Sequence, residues 1–302
     1  MRARGARPRA SRWASARARL LAPLRGTRPA TTEAAEDGAA ESPPAGGVDS
    51  PPPTPRCPPG WRTGAPDFVG VGFQRCGTTR WYKLLTSHPD VVRPVAMKEL
   101  HFFDRFHSGG WKEDELPAYH GYFPRPDGKL VGEWTPLYAS GPWIPPLLAA
   151  SAPQTRLLMI VRDPVERLIS GLALDAAVAT RQGLPLSRYA PLEAFVRGLY
   201  HAQISLLLRH FERSQLLVLQ YERCVADPAA ELRRTFAFLG LREDVSGAPL
   251  DAHPRRRDDK PDFDLRTRRA YAEAYGEDVA RLGEAFPEID LGLWANFAHL
   301  AG

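Results

Sequence analysis

An arginine, a glycine and two adjacent threonines follow a short apolar run near residue 70, and together they have the makings of an anion site. The run Phe68 to Phe73 reads as a buried strand, and the segment Arg75-Cys76-Gly77-Thr78-Thr79 follows it. Beyond it, Trp81, Leu84 and Leu85 are spaced to share one face of a helix that runs to Ser87. Strand, glycine-containing loop and helix N-terminus, in that order, can cradle a phosphate, because backbone N–H groups and the helix dipole converge on one anion. Gly72 and Gly77 have the separation of G-x-x-x-x-G-K-[ST], but Thr78 stands where that motif carries its lysine, and the cation lies inside the loop at Arg75. A loop that hydrolyses ATP needs that lysine on the β- and γ-phosphates with Mg²⁺ beside it. Its absence points to a different phosphate ester. Taken alone, Gly77-Thr78-Thr79 reads equally well as a turn with a helix cap.

A second segment repeats the order. Leu157 to Val161 is a continuous apolar run of the kind found in central parallel strands, and Arg162 falls at its carboxyl end. Asp163 suits an N-cap and Pro164 the first helical position. Ser170 then lies about 12 Å along the helix axis from Arg162, at about 1.5 Å per residue. That pair can bracket a second phosphate.

The two segments together resemble the paired signatures of the sulfotransferases that use 3′-phosphoadenosine 5′-phosphosulfate (PAPS). The resemblance implies that Arg75, Cys76, Gly77, Thr78 and Thr79 hold the 5′-phosphosulfate, and that Arg162 and Ser170 hold the 3′-phosphate. The family usually has lysine where this chain has Arg75; arginine keeps the charge but is bulkier, forked and unable to lose its proton. A third segment, Met97-Lys-Glu-Leu-His-Phe-Phe-Asp104 with Gly110-Trp111 beyond it, resembles the corresponding stretch of the heparan-sulfate and related carbohydrate sulfotransferases. Carried over position by position, Glu99 is the general base, and His101 and Asp104 are acceptor-site residues, His101 also counted with the catalytic group. A carboxylate within hydrogen-bond reach of an alcohol takes its proton as the new bond forms. The structural alternative is a surface Lys-Glu pair beside a Phe-Phe core anchor.

One position departs from the pattern. Gly132-Glu133-Trp134-Thr135-Pro136 lies where the glycosaminoglycan enzymes commonly have Gly-Glu-Lys-Thr-Pro, so an indole replaces an ammonium. Trp134 is expected either to stack on a sugar face or apolar acceptor, as a substrate-binding residue, or to pack in the core.

These residues need a frame to hold them. Gln215 to Glu222 reads as another strand, Asp227-Pro228 as a helix start and Gly240 as the stop of the helix from Ala229 to Leu239. Leu192 to Phe211 reads as one long helix and Tyr271 to Leu282 as another, with Trp294 and Phe297 anchoring the carboxyl end. The expected fold is α/β: one catalytic domain over 61–302, with a P-loop-like, mainly parallel central sheet flanked by helices. In such sheets ligands lie at the carboxyl ends of the strands, where Arg75 and Arg162 both fall. His253, Arg255, Arg256, Arg257 and Lys260 form a basic loop that either closes over the nucleotide or is simply solvated.

Composition refines the picture. Residues 1–56 hold ten Arg against five Asp and Glu, which accounts for the whole net charge of +5. The remainder is balanced, so the high overall charge is no argument for a polyanionic partner, and no nucleic-acid partner is expected. Residues 1–60, Arg-rich and then Pro/Gly-rich, read as a disordered arm and linker. No apolar stretch resembles a signal peptide or a membrane span, and Arg12 to Leu24 could at most lie weakly on an anionic membrane. The enzyme is therefore expected to be cytoplasmic, with peripheral membrane contact through the arm. Three cysteines make no disulfide framework, and no spacing of ligands points to a metal.

The expected activity is sulfuryl transfer from PAPS, with release of adenosine 3′,5′-bisphosphate (PAP), to a hydroxyl of a carbohydrate or glycolipid and without a metal. Two other readings stay open. One is a silent nucleotide-binding protein of the same fold, favoured by Arg75 and Trp134. The other is a P-loop kinase, opposed by the missing lysine.

Overall fold

The computed structural model describes residues 52–93, 98–251 and 261–301. The readings placed on the arm at 1–51 and on the basic loop from His253 to Lys260 lie outside the described residues.

Four parallel strands form the sheet: β1 (Phe68–Gly72), β2 (Gly132–Trp134), β3 (Arg156–Val161) and β4 (Leu216–Gln220), in the order β2-β1-β3-β4. Every residue of β1 and β4 is buried, and all of β3 but Arg156. Unbroken apolar runs form such strands because helices cover both faces of a parallel sheet, leaving no solvated side to favour alternation. After β1 the chain goes to β2 on one side and then to β3 on the other. The strand order thus reverses at β1, and the crevice outside its carboxyl end is where α/β sheets bind ligands.

The helices are α1 (Thr78–Leu85), α2 (Leu116–His120), α3 (Ile144–Ser151), α4 (Pro164–Arg181), α5 (Ala190–Val196), α6 (Tyr200–Leu207), α7 (Tyr221–Ala226), α8 (Pro228–Leu239) and α9 (Leu265–Ala285). α1 buries Trp81, Leu84 and Leu85, the face read from their spacing. Each such leucine contributes about 1.5–3 kcal/mol by leaving water. The Trp81 indole also donates to Thr235 Oγ1 on α8 at 3.2 Å, which fixes the direction in which α1 leaves the loop. Asp163 caps α4 by accepting from the N–H groups of Val165 and Glu166, and Asp227 caps α8 by accepting from Ala230 N. Gly240, in the left-handed region at φ +70°, ends α8.

The helix read over Leu192 to Phe211 is two helices, α5 and α6. Leu199 leaves the helical region with ψ +76°, and side chains take over carbonyls at the break. Tyr275 Oη donates to Phe195 O at 2.9 Å, and Gln203 Nε2 donates to Val196 O at 3.1 Å and Leu199 O at 2.9 Å. Such tertiary contacts are invisible to periodicity. The strand read to Glu222 ends at Gln220, and the last helix extends beyond 271–282 in both directions to form α9. Trp294 and Phe297 are fully buried, as the anchoring reading requires.

Candidate active site

The loop after β1 owes its shape to one glycine. Gly77 takes φ +85° as the residue before α1, and a Cβ there would lie 3.1 Å from the Tyr221 ring. Thr78, buried, and Thr79, exposed, then open α1, whose first-turn N–H groups have no partner within the helix. Arg75 itself sits at φ +71°. Among the described residues the other non-glycine at positive φ is His101, at +51°. Left-handed conformations of this kind cost on the order of 1–3 kcal/mol each and concentrate where function holds them in place.

The two phosphate-type segments meet. Arg75 Nε donates to Ser170 Oγ at 3.0 Å, and Arg162 Nη1 donates to Arg75 O at 3.3 Å. The Arg162 guanidinium lies 4.6 Å over the Tyr221 ring, a cation–π contact that orients it. Asp163, next to Arg162, accepts from both the backbone N–H and the side-chain amide of Asn296, so the carboxyl end of the chain braces this corner. Of the predicted cradle residues, Arg75, Gly77, Thr78, Thr79, Arg162 and Ser170 are all in this cluster or at the helix start beside it. Cys76 belongs elsewhere. Its N–H donates to Phe73 O at 3.2 Å, its thiol lies against Tyr200 Oη, and burial pushes that thiol up to about 11. It packs the loop onto the core and presents no donor to a ligand.

The second cluster is acidic and basic in alternation. Lys98 Nζ lies 2.6 Å from Glu99 Oε1, His101 Nε2 3.5 Å from Glu99 Oε2, and His101 Nδ1 2.8 Å from Asp104 Oδ2. Burial pushes the Glu99 carboxyl up, but His101 and Lys98 outweigh it and hold the group below the ordinary glutamate range. Burial pulls His101 down, yet its hydrogen bonds and charge contacts with Asp104 and Glu99 raise it to about 9. Burial pulls Lys98 below the ordinary lysine range, with Glu99 opposing it; an ionised carboxylate thus faces the His101 imidazolium on one side and the Lys98 amine on the other. The backbone of this segment is pinned to the end of β2. Trp134 N donates to Lys98 O at 3.1 Å, Leu100 N to Thr135 Oγ1 at 3.0 Å, and Phe102 N to Tyr138 Oη at 2.9 Å. Buried Phe102 and Phe103 hold the same segment from below.

Trp134 corrects the reading of a stacking platform. The side chain is 0% exposed, covers Gly70 of β1 and donates from Nε1 to Gly72 O at 3.1 Å. An indole with no accessible face cannot stack on an acceptor. Its role is to fill the sheet edge beside the site.

Three further residues gain a place in the site from their contacts in the structure. Lys98 joins the clusters, since its ammonium is also 3.5 Å from Thr78 Oγ1. Tyr221 carries Arg162. Glu133, buried and pushed up to about 7 by that burial, accepts from Tyr119 Oη at 3.0 Å and Thr135 Oγ1 at 2.6 Å and so locks β2 to the acidic segment. Lys98 was in plain view beside Glu99; the other two required the sheet to be assembled. Among the described residues no three His, Cys, Asp or Glu side chains gather as a metal site, and no helix is long and apolar enough to cross a membrane.

The family described as "Sulfotransferase domain" matches residues 65–248. Heparan sulfate glucosamine 3-O-sulfotransferase 3A1 of Mus musculus is 35% identical over 195 residues, 60% of this chain and 47% of that protein. Heparan sulfate glucosamine 3-O-sulfotransferase 6 of Homo sapiens is 36% identical over 193 residues, 60% of this chain and 54% of that protein. The chain thus spans about half the length of the curated relatives it matches. Among solved structures, a sulfotransferase from Alicyclobacillus acidocaldarius shares the fold with a TM-score of 0.56 at 24% identity, covering 76% of this chain and 98% of that one. Sulfotransferase STF9 from Mycobacterium avium gives a TM-score of 0.52 at 14% identity, over 76% and 78% of the two chains.

Proposed function

The chain belongs to the sulfotransferase family, and from that premise we propose that it transfers the sulfuryl group of PAPS to a carbohydrate or glycolipid hydroxyl, with Glu99 as the general base. The observation that carries the reading is the contact of Arg75 with Ser170, which merges the two phosphate-type segments into one basic corner. That donor set fits a ligand with two separate phosphates: Arg75 and the first-turn amides of α1 for one, Arg162 and Ser170 for the other. PAPS supplies an activated sulfuryl group on its 5′-phosphate, and PAP is what remains after transfer.

The residues of the chain then divide the work. Arg75, Thr78, Thr79 and the α1 amides hold negative charge on the phosphosulfate, and fixed donors of this kind need no reorganisation as charge develops. Arg162 and Ser170 fix the 3′-phosphate. Glu99 takes the proton of the acceptor hydroxyl as its oxygen bonds to sulfur. His101, held by Asp104 through Nδ1, faces Glu99 through Nε2, keeping the base ionised and oriented towards the acceptor. The names of the relatives, enzymes acting on heparan sulfate glucosamine, support a sugar hydroxyl as acceptor.

The test is transfer of label from PAPS to a panel of hydroxyl acceptors, heparan sulfate oligosaccharides and glycolipids included, in EDTA. Transfer that persists in EDTA and is lost in Glu99→Gln supports the reading. A folded, PAP-binding protein that transfers to no hydroxyl of the panel, and does not release sulfate to water, overturns it in favour of a silent nucleotide-binding protein.

A further inference from the structure

One charged group touches both halves of the site. The ammonium of Lys98 is 2.6 Å from Glu99 Oε1 and 3.5 Å from Thr78 Oγ1, with the side chain only 15% exposed. Glu99 is where a proton leaves the acceptor, and Thr78 opens the helix that holds the phosphate. In an in-line displacement the entering and leaving oxygens lie on opposite sides of the transferring centre. That centre therefore lies between the group that takes the proton and the group that holds the leaving phosphate. Lys98 spans this interval.

The other cations near the interval have tasks of their own: Arg75 holds the phosphosulfate from the loop, Arg162 the 3′-phosphate, and His101 faces Glu99 and Asp104. Arg75 reaches Ser170 through Nε, and Arg162 stacks on Tyr221 and bonds Arg75 O. The side chain at 134, the neighbouring residue on β2, is a buried indole without charge. Lysine also suits the task. Its three donors rotate about a flexible stem, so one can stay on Glu99 while another turns from the Thr78 hydroxyl to an oxygen of the ligand. The backbone beneath it does not move with the side chain, because Trp134 N holds Lys98 O.

Resting on the PAPS reading, we propose that Lys98 is a catalytic residue that binds the sulfuryl oxygens during transfer, through the ammonium that bridges Glu99 and Thr78. The bond from sulfur to the 5′-phosphate oxygen breaks, the bond from sulfur to the acceptor oxygen forms, and the acceptor proton goes to Glu99. Lys98 keeps its proton throughout and neutralises charge on the three equatorial oxygens.

The rival role is purely positional: Lys98 holds Glu99 and touches nothing else. The two roles separate in a binding experiment that needs no turnover. Vanadate, which accepts five-coordinate geometry, is titrated into the PAP-saturated protein as a mimic of the transferring group. Lys98→Met should leave PAP affinity within about twofold and weaken vanadate binding about 10- to 100-fold, the loss of one hydrogen bond to a charged group. The same loss should appear when Lys98→Met is made in a Glu99→Gln background. Vanadate binding that is unchanged by Lys98→Met in that background overturns the assignment and leaves Lys98 a positioning residue. Lys98→Gln, which keeps a donor on a shorter stem, repeats the comparison if Lys98→Met does not fold. Failure of the folded wild-type protein to bind PAP is a different result: it removes the donor reading, and the Lys98 assignment falls with it.

Discussion

Arg75 Nε donates to Ser170 Oγ at 3.0 Å, across 95 residues of sequence. Ser170 is buried on α4 two turns beyond the Asp163 cap, so the hydroxyl is held rigidly. Arg75 is thereby tied to the segment proposed for the other phosphate. Ser170→Ala should weaken PAP binding about tenfold, the order of one hydrogen bond between an ion and a hydroxyl, with the melting temperature nearly unchanged. Titration calorimetry of the two proteins checks this.

Glu99→Gln keeps the shape of the base and removes its charge. Turnover should fall about 10²- to 10⁴-fold while PAP affinity stays within about twofold. A joint loss of both would instead indicate a folding defect, which circular dichroism detects.

The pH profile follows from the charges around His101. Glu99 is held below its usual range, so the acid limb of kcat should lie below neutrality, with a plateau above it. His101, raised to about 9 chiefly against the pull of burial by Asp104 and Glu99, should lose its proton there and set the alkaline limb. Asp104→Asn removes one of the two carboxylates facing the ring and should move that limb towards neutrality. The stability contribution has a matching sign: it is complete below the ordinary histidine value of 6.5 and lost as pH rises through about 9. An alkaline limb that does not move in Asp104→Asn would count against His101 as its source.

Trp134 should behave as a core residue. Trp134→Ala removes a fully buried indole over Gly70 and should cost about 3–5 kcal/mol, seen as a lower denaturation midpoint. Trp134→Phe should retain most of the stability and leave the acceptor KM unchanged. A changed KM with an unchanged midpoint would return Trp134 to the acceptor site.

Much of the fold was legible because a parallel sheet imposes a local signature. The runs Phe68 to Phe73 and Leu157 to Val161 are apolar without alternation, and each ends on a cation and a helix start. Asp163, Asp227 and Gly240 do their work through backbone groups within a few residues, so their types alone carry the message. What needed the structure was everything set by contacts distant in sequence. The break between α5 and α6 depends on Tyr275 and Gln203, and the burial of Trp134 depends on Gly70. Cys76 shows the same limit within a loop: it lies between Arg75 and Gly77 in sequence, yet its thiol is turned to Tyr200. Lys98 stood beside Glu99 in the sequence, but its contact with Thr78 arises only when the chain returns along β2.

The central claim is that the corner formed by Arg75, Arg162 and Ser170 binds a nucleotide with two phosphates. Calorimetric titration with PAP, against ATP and 5′-AMP, in EDTA, tests it most directly. The account predicts micromolar binding of PAP, much weaker binding of the other two, and loss of PAP binding in Arg162→Ala. A folded protein that ignores PAP, or that prefers ATP and needs Mg²⁺ to bind it, would contradict the account.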